Sequence, residues 1–354
     1  MTEKPWRKNL IKIEPYTAGE QPDSEDIIKL NANENPYPPS PMVQRAIHEF
    51  DAERLKLYPS MDASELREAA AEYYGLKKEN VFAGNGSDDV LAAAFRAFFN
   101  SDVPIAFPDI TYSFYPVWCS LFNIPYKTYA VNNDFEINIE DYYAPNGGVV
   151  IPNPNAPTTL DLGRDKIITL LEHNRDCIVI IDEAYIDFGG ISSAELIKKY
   201  DNLVVTQTFS KSRSLAGMRI AAAFADPELS SYMEAVKDSY NSYPVDSVAS
   251  AAAAAALKDR DYYKKTTAEI IRTRDNFIAV LRSMGFRVLD SRANFVFCTH
   301  PKFKAKDIFE YAKSKKIYIR YFNKPRIDNF LRITIGTDDQ MKKLEKVLEE
   351  FISG

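Results

Sequence analysis

One lysine lies in a segment whose composition suits nucleophilic chemistry. Lys211 is part of the segment FSKSRSLAGMR, which follows the apolar residues 203–205 and ends with Arg219. A lysine that is partly desolvated and close to other cations loses proton affinity, so its neutral amine becomes a nucleophile. Ser210 and Arg219 are suited to bind a phosphate dianion. An ordinary basic loop is the alternative interpretation of this segment.

Two carboxylates and a tyrosine end a second apolar run, in the segment CIVIIDEAY at residues 177–185. Ligands of open α/β sheets bind at the carboxyl ends of the strands, and Asp182 lies at such an end. Its carboxylate is placed to pair with a protonated ring nitrogen, and Tyr185 is placed to bond a phenolic oxygen of the same ligand. An acidic pair that only solvates the strand end is the alternative.

A third segment, GNGSDD at residues 84–89, follows a predicted strand and opens a predicted helix. The free backbone N–H groups and the dipole at a helix N-terminus can receive a phosphate group. A glycine turn with Ser and Asp is also typical of a plain helix cap, so this segment alone is a weak signal. The three segments together are more specific than any one of them.

Composition and charge indicate an ordinary globular protein. The chain has 354 residues, of which 45% are hydrophobic and 27% are charged, and its formal net charge is -6. This charge argues against nonspecific binding of nucleic acid. The three cysteines form no CxxC pair and the three histidines are isolated, so we expect no metal site and no disulfide framework. Because no segment resembles a signal peptide or a membrane span, we expect a cytoplasmic protein.

The fold class predicted is α/β with a mainly parallel sheet. Short apolar runs, separated by helix-like stretches, are typical of parallel strands that are buried on both faces. They lie at residues 81–83, 105–107, 149–151, 178–181 and 203–205. Helices are predicted at residues 41–50 and 62–74, the second ending at Gly75.

The pattern changes after about residue 245. SVASAAAAAALKD opens an alanine-rich helical stretch that reaches about Met284, and FRVLD, NFVFC, IYIRY and LRITI then have the pattern of strands. A capping box of Thr337 and Gln340 begins a closing helix with one apolar face. We therefore predict an N-terminal arm at 1–40, a large domain at 41–245, and a smaller α+β domain at 246–354 that part of the arm joins.

These segments resemble the fold-type I aminotransferases, which depend on pyridoxal 5′-phosphate, and more closely the histidinol-phosphate aminotransferases. The similarity covers nearly the full chain, with its motifs in family order. The motifs are NANENP at 31–36, LYP at 57–59, GNGSDD, TYSFY at 111–115, NPNAPT at 153–158, DEAYIDF, FSKSRSLAGMR and LRITIGT. The resemblance implies the fold of that family and, in histidine biosynthesis, amino-group transfer between glutamate/2-oxoglutarate and imidazole-acetol phosphate/histidinol phosphate.

The resemblance also implies roles for individual residues. Lys211 would form the Schiff base with the cofactor and move protons, and Asp182 would pair with the pyridine nitrogen. The other residues implied to bind the cofactor are Ser87, Asp88, Ser210 and Arg219 at the phosphate, Tyr185 and Asn155 at the phenolic oxygen, Tyr112 on the ring face, and Tyr58. In this family the residue matching Tyr58 reaches the phosphate of the partner subunit, so a homodimer is implied.

Two arginines are implied to face small-molecule substrates. Arg320 in YIRYF and Arg332 in LRITIGT lie at predicted strands of the smaller domain. A guanidinium group pairs with a carboxylate or a phosphate through two hydrogen bonds, so one pocket can take glutamate and a phosphate monoester. Tyr16 and Tyr243 are implied to line that pocket. Without the resemblance, a surface salt bridge would be the favoured interpretation of either arginine.

The NPNAPT segment departs from PNNPTG, a common pattern of the family. Ala156 stands where an asparagine usually precedes the proline, so we assign the asparagine's role to Asn155. Thr159 replaces the usual glycine. If that glycine needs a positive φ, the loop in this chain must differ.

Three alternatives stay open at this point. The same frame can decarboxylate a phosphorylated amino acid such as threonine phosphate, and the tyrosines of the pocket would also suit an aromatic amino acid aminotransferase. A catalytically silent module, such as the cofactor-sensing part of a regulator, is the alternative from another class. It is disfavoured because Lys211 is present and no DNA-binding segment precedes residue 40.

Overall fold

The computed structural model describes residues 4–17, 19–22, 24, 26–143 and 145–354. The helices are α1 Pro41–His48, α2 Ser64–Tyr74, α3 Gly86–Phe98, α4 Tyr115–Phe122, α5 Arg164–Glu172, α6 Pro227–Asp238, α7 Ser247–Lys258, α8 Arg260–Ser283, α9 Ala305–Ser314 and α10 Asp338–Ser353. None of the helices in this part of the chain has the length and apolar composition needed to cross a membrane.

Thirteen short strands form three sheets in the described residues. The strands are β1 Ile28–Lys29, β2 Val81–Gly84, β3 Ile105–Pro108, β4 Tyr126–Tyr129, β5 Val149–Pro152, β6 Val179–Asp182, β7 Leu203–Thr208, β8 Ala221–Ala225, β9 Arg287–Val288, β10 Phe295–Thr299, β11 Ile317–Tyr318, β12 Arg320–Tyr321 and β13 Leu331–Thr334. The apolar runs predicted as strands between residues 81 and 205 correspond to β2, β3, β5, β6 and β7.

The largest sheet has seven strands in the order β2, β8, β7, β6, β5, β3, β4. The neighbours from β7 to β4 are parallel, and β8 is antiparallel to both of its neighbours. The inner strands are buried along their whole length because helices cover both faces of the sheet. The prediction of an α/β fold with a mainly parallel sheet is confirmed.

Two strands of this sheet were absent from the prediction. β8 has the sequence AAAFA, and alanine is a weak strand former that more often indicates a helix. Its five residues are buried all the same, because β8 lies between β7 and β2. β4 is one of the two edge strands and has the sequence YKTY, with exposed and half-buried residues in alternation. Burial by neighbouring strands, rather than local propensity, therefore decided β8, whereas β4 follows from its pairing with β3.

The C-terminal part forms a four-stranded antiparallel sheet in the order β12, β13, β10, β9. The predicted strand IYIRY is divided here, because β11 pairs with β1 of the arm and β12 pairs with β13. The capping box of Thr337 and Gln340 is present at the start of α10. Met341, Leu344 and Leu348 of α10 are buried against the sheet, as its apolar face predicts.

The alanine-rich stretch forms two helices rather than the one expected. α7 ends at Asp259, whose backbone leaves the helical conformation with φ -85° and ψ 64°, and α8 begins at the next residue. α7 packs its alanines into the core of the large sheet, whereas α8 packs Ile270 and Phe277 into the core of the small one. This packing favours a boundary near Asp259 over one at residue 245, and the domain limits stay a prediction.

Candidate functional site

The segments singled out in the sequence meet at one edge of the large sheet. Pro152, Asp182 and Thr206 lie side by side at the carboxyl ends of β5, β6 and β7. The end of β2 joins them, because Gly84 and Thr208 pair with the same residue of β8. The loops after these strands therefore converge, as expected for a ligand site in an open α/β sheet.

Lys211 lies in the loop after β7, inside the cleft between the two sheets. Its Nζ donates a hydrogen bond of 3.2 Å to the Ala32 carbonyl and lies 5.9 Å from the centre of the Tyr185 ring. Burial, together with the positive charge of Arg332, lowers the pKa of Lys211 to about 8. A larger neutral fraction at neutral pH makes this amine a better nucleophile than an ordinary lysine.

Asp182 is a buried carboxylate at the base of the cleft. Burial raises its pKa to about 6, and hydrogen bonds from neighbouring hydroxyl groups oppose that rise. Tyr115 Oη donates to Oδ2 at 2.8 Å, and Thr206 Oγ1 donates to Oδ1 at 3.3 Å. The two hydroxyl groups fix the carboxylate in one orientation. Tyr115 had no assigned role beforehand, although it closes the TYSFY segment.

A cradle for an anion lies at the N-terminus of α3. Gly86 has φ +83°, and a Cβ built there would lie 2.7 Å from Arg219. The absence of a side chain at this position therefore leaves room for the Arg219 guanidinium. Arg219 forms a 3.3 Å salt bridge with Asp88. The Ser87 Oγ is buried without a hydrogen-bond partner in the protein. Helix N–H groups, an arginine and an unpaired hydroxyl together suit a phosphate group.

Tyr112 is positioned over the start of α3. Its hydroxyl donates to Asp88 Oδ1 at 2.9 Å, and its ring contacts Tyr115 edge to face, with centroids 5.6 Å apart. Burial and the nearby Asp88 carboxylate raise the pKa of Tyr112. The phenol is therefore neutral, and its ring presents an apolar face beside the anion cradle.

Asn155 is not free to contact a ligand in this structure. Its side chain is 1% exposed, and its amide donates to the Ile110 carbonyl and to Thr158 Oγ1, both at 2.9 Å. Its oxygen accepts from Thr111 Oγ1 at 3.0 Å. Because both amide hydrogens are used inside the protein, the structure does not bring Asn155 into the cleft as a donor. Thr159 itself adopts φ 70°, so a missing glycine does not force a different loop.

Arg320 and Arg332 face each other across two strands of the small sheet. They are direct partners in the antiparallel pair β12–β13, so their side chains lie on the same face, where like charges repel. Neither guanidinium forms a salt bridge with an acidic side chain among the residues that the structure describes. Arg332 donates to the Asn31 carbonyl at 2.8 Å, and its Nε is buried without a partner. Two unneutralised guanidinium groups indicate a site for an anion.

The tyrosines assigned to the substrate lie in different places. Tyr16 of the arm stacks on Phe114, with centroids 5.0 Å apart, and its hydroxyl is close enough to Arg332 to affect the pKa of that arginine. Tyr243 instead stacks on Tyr58 at 4.7 Å, on the outer surface. Tyr58 is 82% exposed. The structure thus brings Tyr16 to the arginine pair and leaves Tyr58 and Tyr243 together outside it.

Comparison with known proteins identifies the family. Residues 25–348 match the family model described as aminotransferase class I and II. The histidinol-phosphate aminotransferase of Lactococcus lactis subsp. cremoris is 49% identical over 347 residues, which are 98% of each chain.

Two solved structures share the fold at low sequence identity. The histidinol-phosphate aminotransferase of Sinorhizobium meliloti, solved in complex with pyridoxal-5′-phosphate, has a TM-score of 0.85 and 24% identity, over 92% of this chain and 91% of that one. The L-threonine-O-3-phosphate decarboxylase of Porphyromonas gingivalis has a TM-score of 0.79 and 23% identity, over 93% of this chain and 100% of that one. These two likenesses support the fold alone. The family model and the relative that is 49% identical show that this chain belongs to the class I and II aminotransferases.

Proposed function

We propose that this chain is a cytoplasmic, homodimeric transaminase that moves an amino group between glutamate and imidazole-acetol phosphate, which becomes histidinol phosphate. The observation that carries this proposal is the pair of opposed, unneutralised arginines beside a lysine of lowered pKa. Two arginines without acidic partners would bind anions, and both proposed substrates are anions. The 49% identity to a curated histidinol-phosphate aminotransferase supports the choice among anionic substrates.

The residues of the cleft fit pyridoxal 5′-phosphate group by group. The cradle of Gly86, Ser87 and Arg219 suits the phosphate. Ser87 Oγ has no hydrogen-bond partner among the described residues, so it is available to donate to that phosphate. Asp182 suits a protonated pyridine nitrogen, and such a cation would offset the cost of its buried charge. When bound, this cofactor supplies an aromatic ring that withdraws electrons from the substrate α-carbon.

Lys211 is the group placed to carry protons. Its Nζ lies beside the Tyr185 ring, and its pKa of about 8 allows it to accept and release a proton near neutral pH. In the proposed role, the freed amine would take the proton from the substrate α-carbon and return it to the cofactor carbon on the other side of the nitrogen, two atoms away. Tyr185 and Asp182 hold the cofactor's position while the proton moves.

The arginine pair would hold the substrate at its anionic end. Arg332, anchored by the Asn31 carbonyl, suits a carboxylate, and Arg320 together with Tyr16 suits the distal carboxylate of glutamate or the phosphate of the second substrate. Binding an anion between the guanidinium groups relieves their mutual repulsion. One pocket can therefore serve both halves of the reaction.

The homodimer is supported by the surface around Tyr58. Leu55, Leu57 and Tyr58 are 60%, 65% and 82% exposed, so a large apolar patch surrounds this tyrosine. In the proposed dimer the patch is covered and Tyr58 contacts the cofactor phosphate of the partner subunit. Sedimentation would test the dimer, and mixing K211A with Y58F subunits should restore part of the activity that each variant alone has lost.

The direct test is an assay of the purified protein with glutamate and imidazole-acetol phosphate. We expect 2-oxoglutarate and histidinol phosphate to form in equal amounts. Borohydride reduction of the cofactor-loaded protein, followed by peptide mapping, should place the label on Lys211. A label on another lysine, or no amine formed from the phosphorylated ketone, would refute the proposal.

Decarboxylation of threonine phosphate is the second candidate. It is raised by the structural similarity to a decarboxylase of this fold, whose substrate is also a phosphate monoester with an amine. The two activities differ in the bond that breaks, so carbon dioxide release from threonine phosphate distinguishes them. Release of carbon dioxide without transfer of the amino group would favour the decarboxylase, and turnover of aromatic amino acids alone would favour an aromatic aminotransferase.

A further inference from the structure

The arm residues 31–35, here called the bridging segment, contact the site through consecutive backbone groups. The Asn31 carbonyl accepts from Arg332 at 2.8 Å, and the Ala32 carbonyl accepts from Lys211 Nζ at 3.2 Å. Further along, the Asn35 amide donates to the carbonyl of Lys211 at 3.0 Å. One short segment therefore touches both a proposed substrate-binding group and the proposed catalytic lysine.

Asn33 lies between these contacts in the chain, and its side chain contacts a further residue of the site, Tyr185. Its Nδ2 donates to the hydroxyl of Tyr185 at 2.9 Å. Asn33 is 1% exposed, so this hydrogen bond is shielded from water. A tyrosine hydroxyl that accepts a hydrogen bond keeps its own hydrogen for another acceptor.

The direction of that hydrogen bond is set by Thr334. The Asn33 backbone N–H donates to Thr334 Oγ1 at 3.0 Å, and Thr334 Oγ1 lies 3.2 Å from Asn33 Oδ1. The Thr334 hydroxyl donates its hydrogen to Oδ1, which leaves Nδ2 for Tyr185. The amide of Asn33 is thereby oriented with Nδ2, its donor, toward Tyr185.

The backbone conformation of Asn33 supports a specific role. It has φ 55°, in the left-handed region that asparagine tolerates better than most residues, and Asn294 donates to its carbonyl at 3.0 Å. A buried residue held in this conformation by Thr334 of β13 and by Asn294, which directly precedes β10, is placed rigidly. Its side chain has one hydrogen-bonding partner outside the small domain, which is Tyr185.

We propose that Asn33 is a positioning residue that makes Tyr185 a hydrogen-bond donor to the phenolic oxygen of the cofactor. With Asn155 occupied inside its loop, Tyr185, whose ring centre lies 5.9 Å from Lys211 Nζ, is a donor that remains for this oxygen. This inference rests on the proposed cofactor role of the cleft. It gives the NANENP segment a function that the sequence motif alone did not assign.

The consequence is a change in how the cofactor-loaded lysine titrates. The phenolic oxygen of the cofactor would share a proton with the nitrogen of the cofactor-loaded Lys211. A hydrogen bond donated to that oxygen stabilises its anionic form, so the shared proton is lost at a lower pH. Losing the donor should therefore raise the pH at which the visible absorption of the loaded protein changes. The charged groups that face this region are Arg332, Asp182, Glu34, Arg219 and Asp88, and the test leaves all of them in place.

The test is a pH titration of the visible absorption of cofactor-loaded N33G. Glycine keeps the backbone N–H and the left-handed conformation but removes the amide. We expect the midpoint to rise by about one pH unit. N123G is the matched control, because Asn123 also adopts a positive φ, 58°, at the exposed end of α4, and its midpoint should equal that of the wild type.

A double-mutant cycle separates positioning from general loosening. If Asn33 acts through Tyr185, N33G should have no further effect in a Y185F background. T334V keeps the shape of Thr334 and should raise the midpoint in the same direction, which provides a second variant if N33G unfolds. An unchanged midpoint in N33G or T334V, or an equal shift in the Y185F background, would overturn the inference. A wild type that fixes no cofactor at Lys211 would instead refute the proposed function.

Discussion

The two halves of the cleft are built in opposite ways. On the side of the large sheet, Asp182 receives hydrogen bonds on both oxygens, and Arg219 is paired with Asp88. On the side of the small sheet, Arg320 and Arg332 oppose each other without an acidic partner in the described part of the chain. The first half is organised before any ligand arrives, whereas the second lacks the charge that a ligand would bring.

This contrast indicates that the two halves have separate functions, cofactor binding on the side of the large sheet and substrate selection on the side of the small sheet. A preorganised cofactor site can keep one chemistry constant, because its groups do not need to rearrange during the reaction. An arginine pair that is complete only with an anion selects substrates by charge and by the distance between anionic groups. The bridging segment joins the two halves, since Asn31 contacts Arg332 and Asn33 contacts Tyr185.

The largest effect is expected for the cofactor half. K211A should reduce transamination by about 10³-fold or more, because it removes both the nucleophile and the proton carrier. K343A, which removes an exposed lysine of α10, is the control and should leave the rate unchanged. Steady-state assays of both variants measure this difference. A K211A rate within tenfold of the wild type would contradict the assignment of Lys211 as nucleophile and proton carrier.

D182N should lower the rate by about 10²-fold, the next largest effect. A neutral amide cannot compensate a protonated ring nitrogen, although its size matches the carboxylate. Y115F should have a smaller effect in the same direction, because Asp182 keeps its charge and loses one of its two hydroxyl donors. Equal losses in D182N and Y115F would show that orientation, rather than charge, is what Asp182 contributes.

Substitutions in the substrate half should change KM more than kcat. R320M should raise KM for the phosphorylated substrate by about 10- to 100-fold, the range expected for a lost charge-assisted hydrogen bond. The midpoint of the visible-absorption titration in the absence of substrate should move little, because the arginines whose charges act on Lys211 are Arg332 and Arg219. If R320M leaves KM for the phosphorylated substrate unaffected, the pocket is assigned wrongly.

The smallest expected effect concerns the influence of Arg332, in the small sheet, on the pKa of Lys211, in the loop after β7. Cofactor attachment needs the neutral amine of Lys211, so the attachment rate of the apoprotein should rise with pH and reach half of its maximum near the pKa of about 8. R332M removes a cation that disfavours the protonated amine, so it should raise this pKa and move the half-maximum to higher pH by less than about one pH unit. Stopped-flow absorbance measures the shift, and a shift to lower pH would be inconsistent with the charge assignment.

Local pattern predicted much of the architecture. The buried strands β2, β3, β5, β6 and β7 and the capping box of α10 follow from apolar runs and cap chemistry, which act over a few residues. Strand β8 and the break at Asp259 did not follow, because alanine-rich sequence is compatible with a helix or a buried strand. Neighbouring strands and the two separate cores decide between these outcomes.

For the site, the sequence alone determined that Lys211, Asp182 and Arg219 lie at the carboxyl-terminal edge of the sheet or on its loops. Parallel strands place their following loops at one edge of the sheet, so adjacency there follows from strand order. Only the tertiary structure decided that Asn155 is occupied, that Arg320 opposes Arg332, and that Asn33 donates to Tyr185, from which it is 152 positions distant in the chain. Those contacts depend on strand register and on the path of the arm, and no local periodicity encodes the pairing of such distant residues.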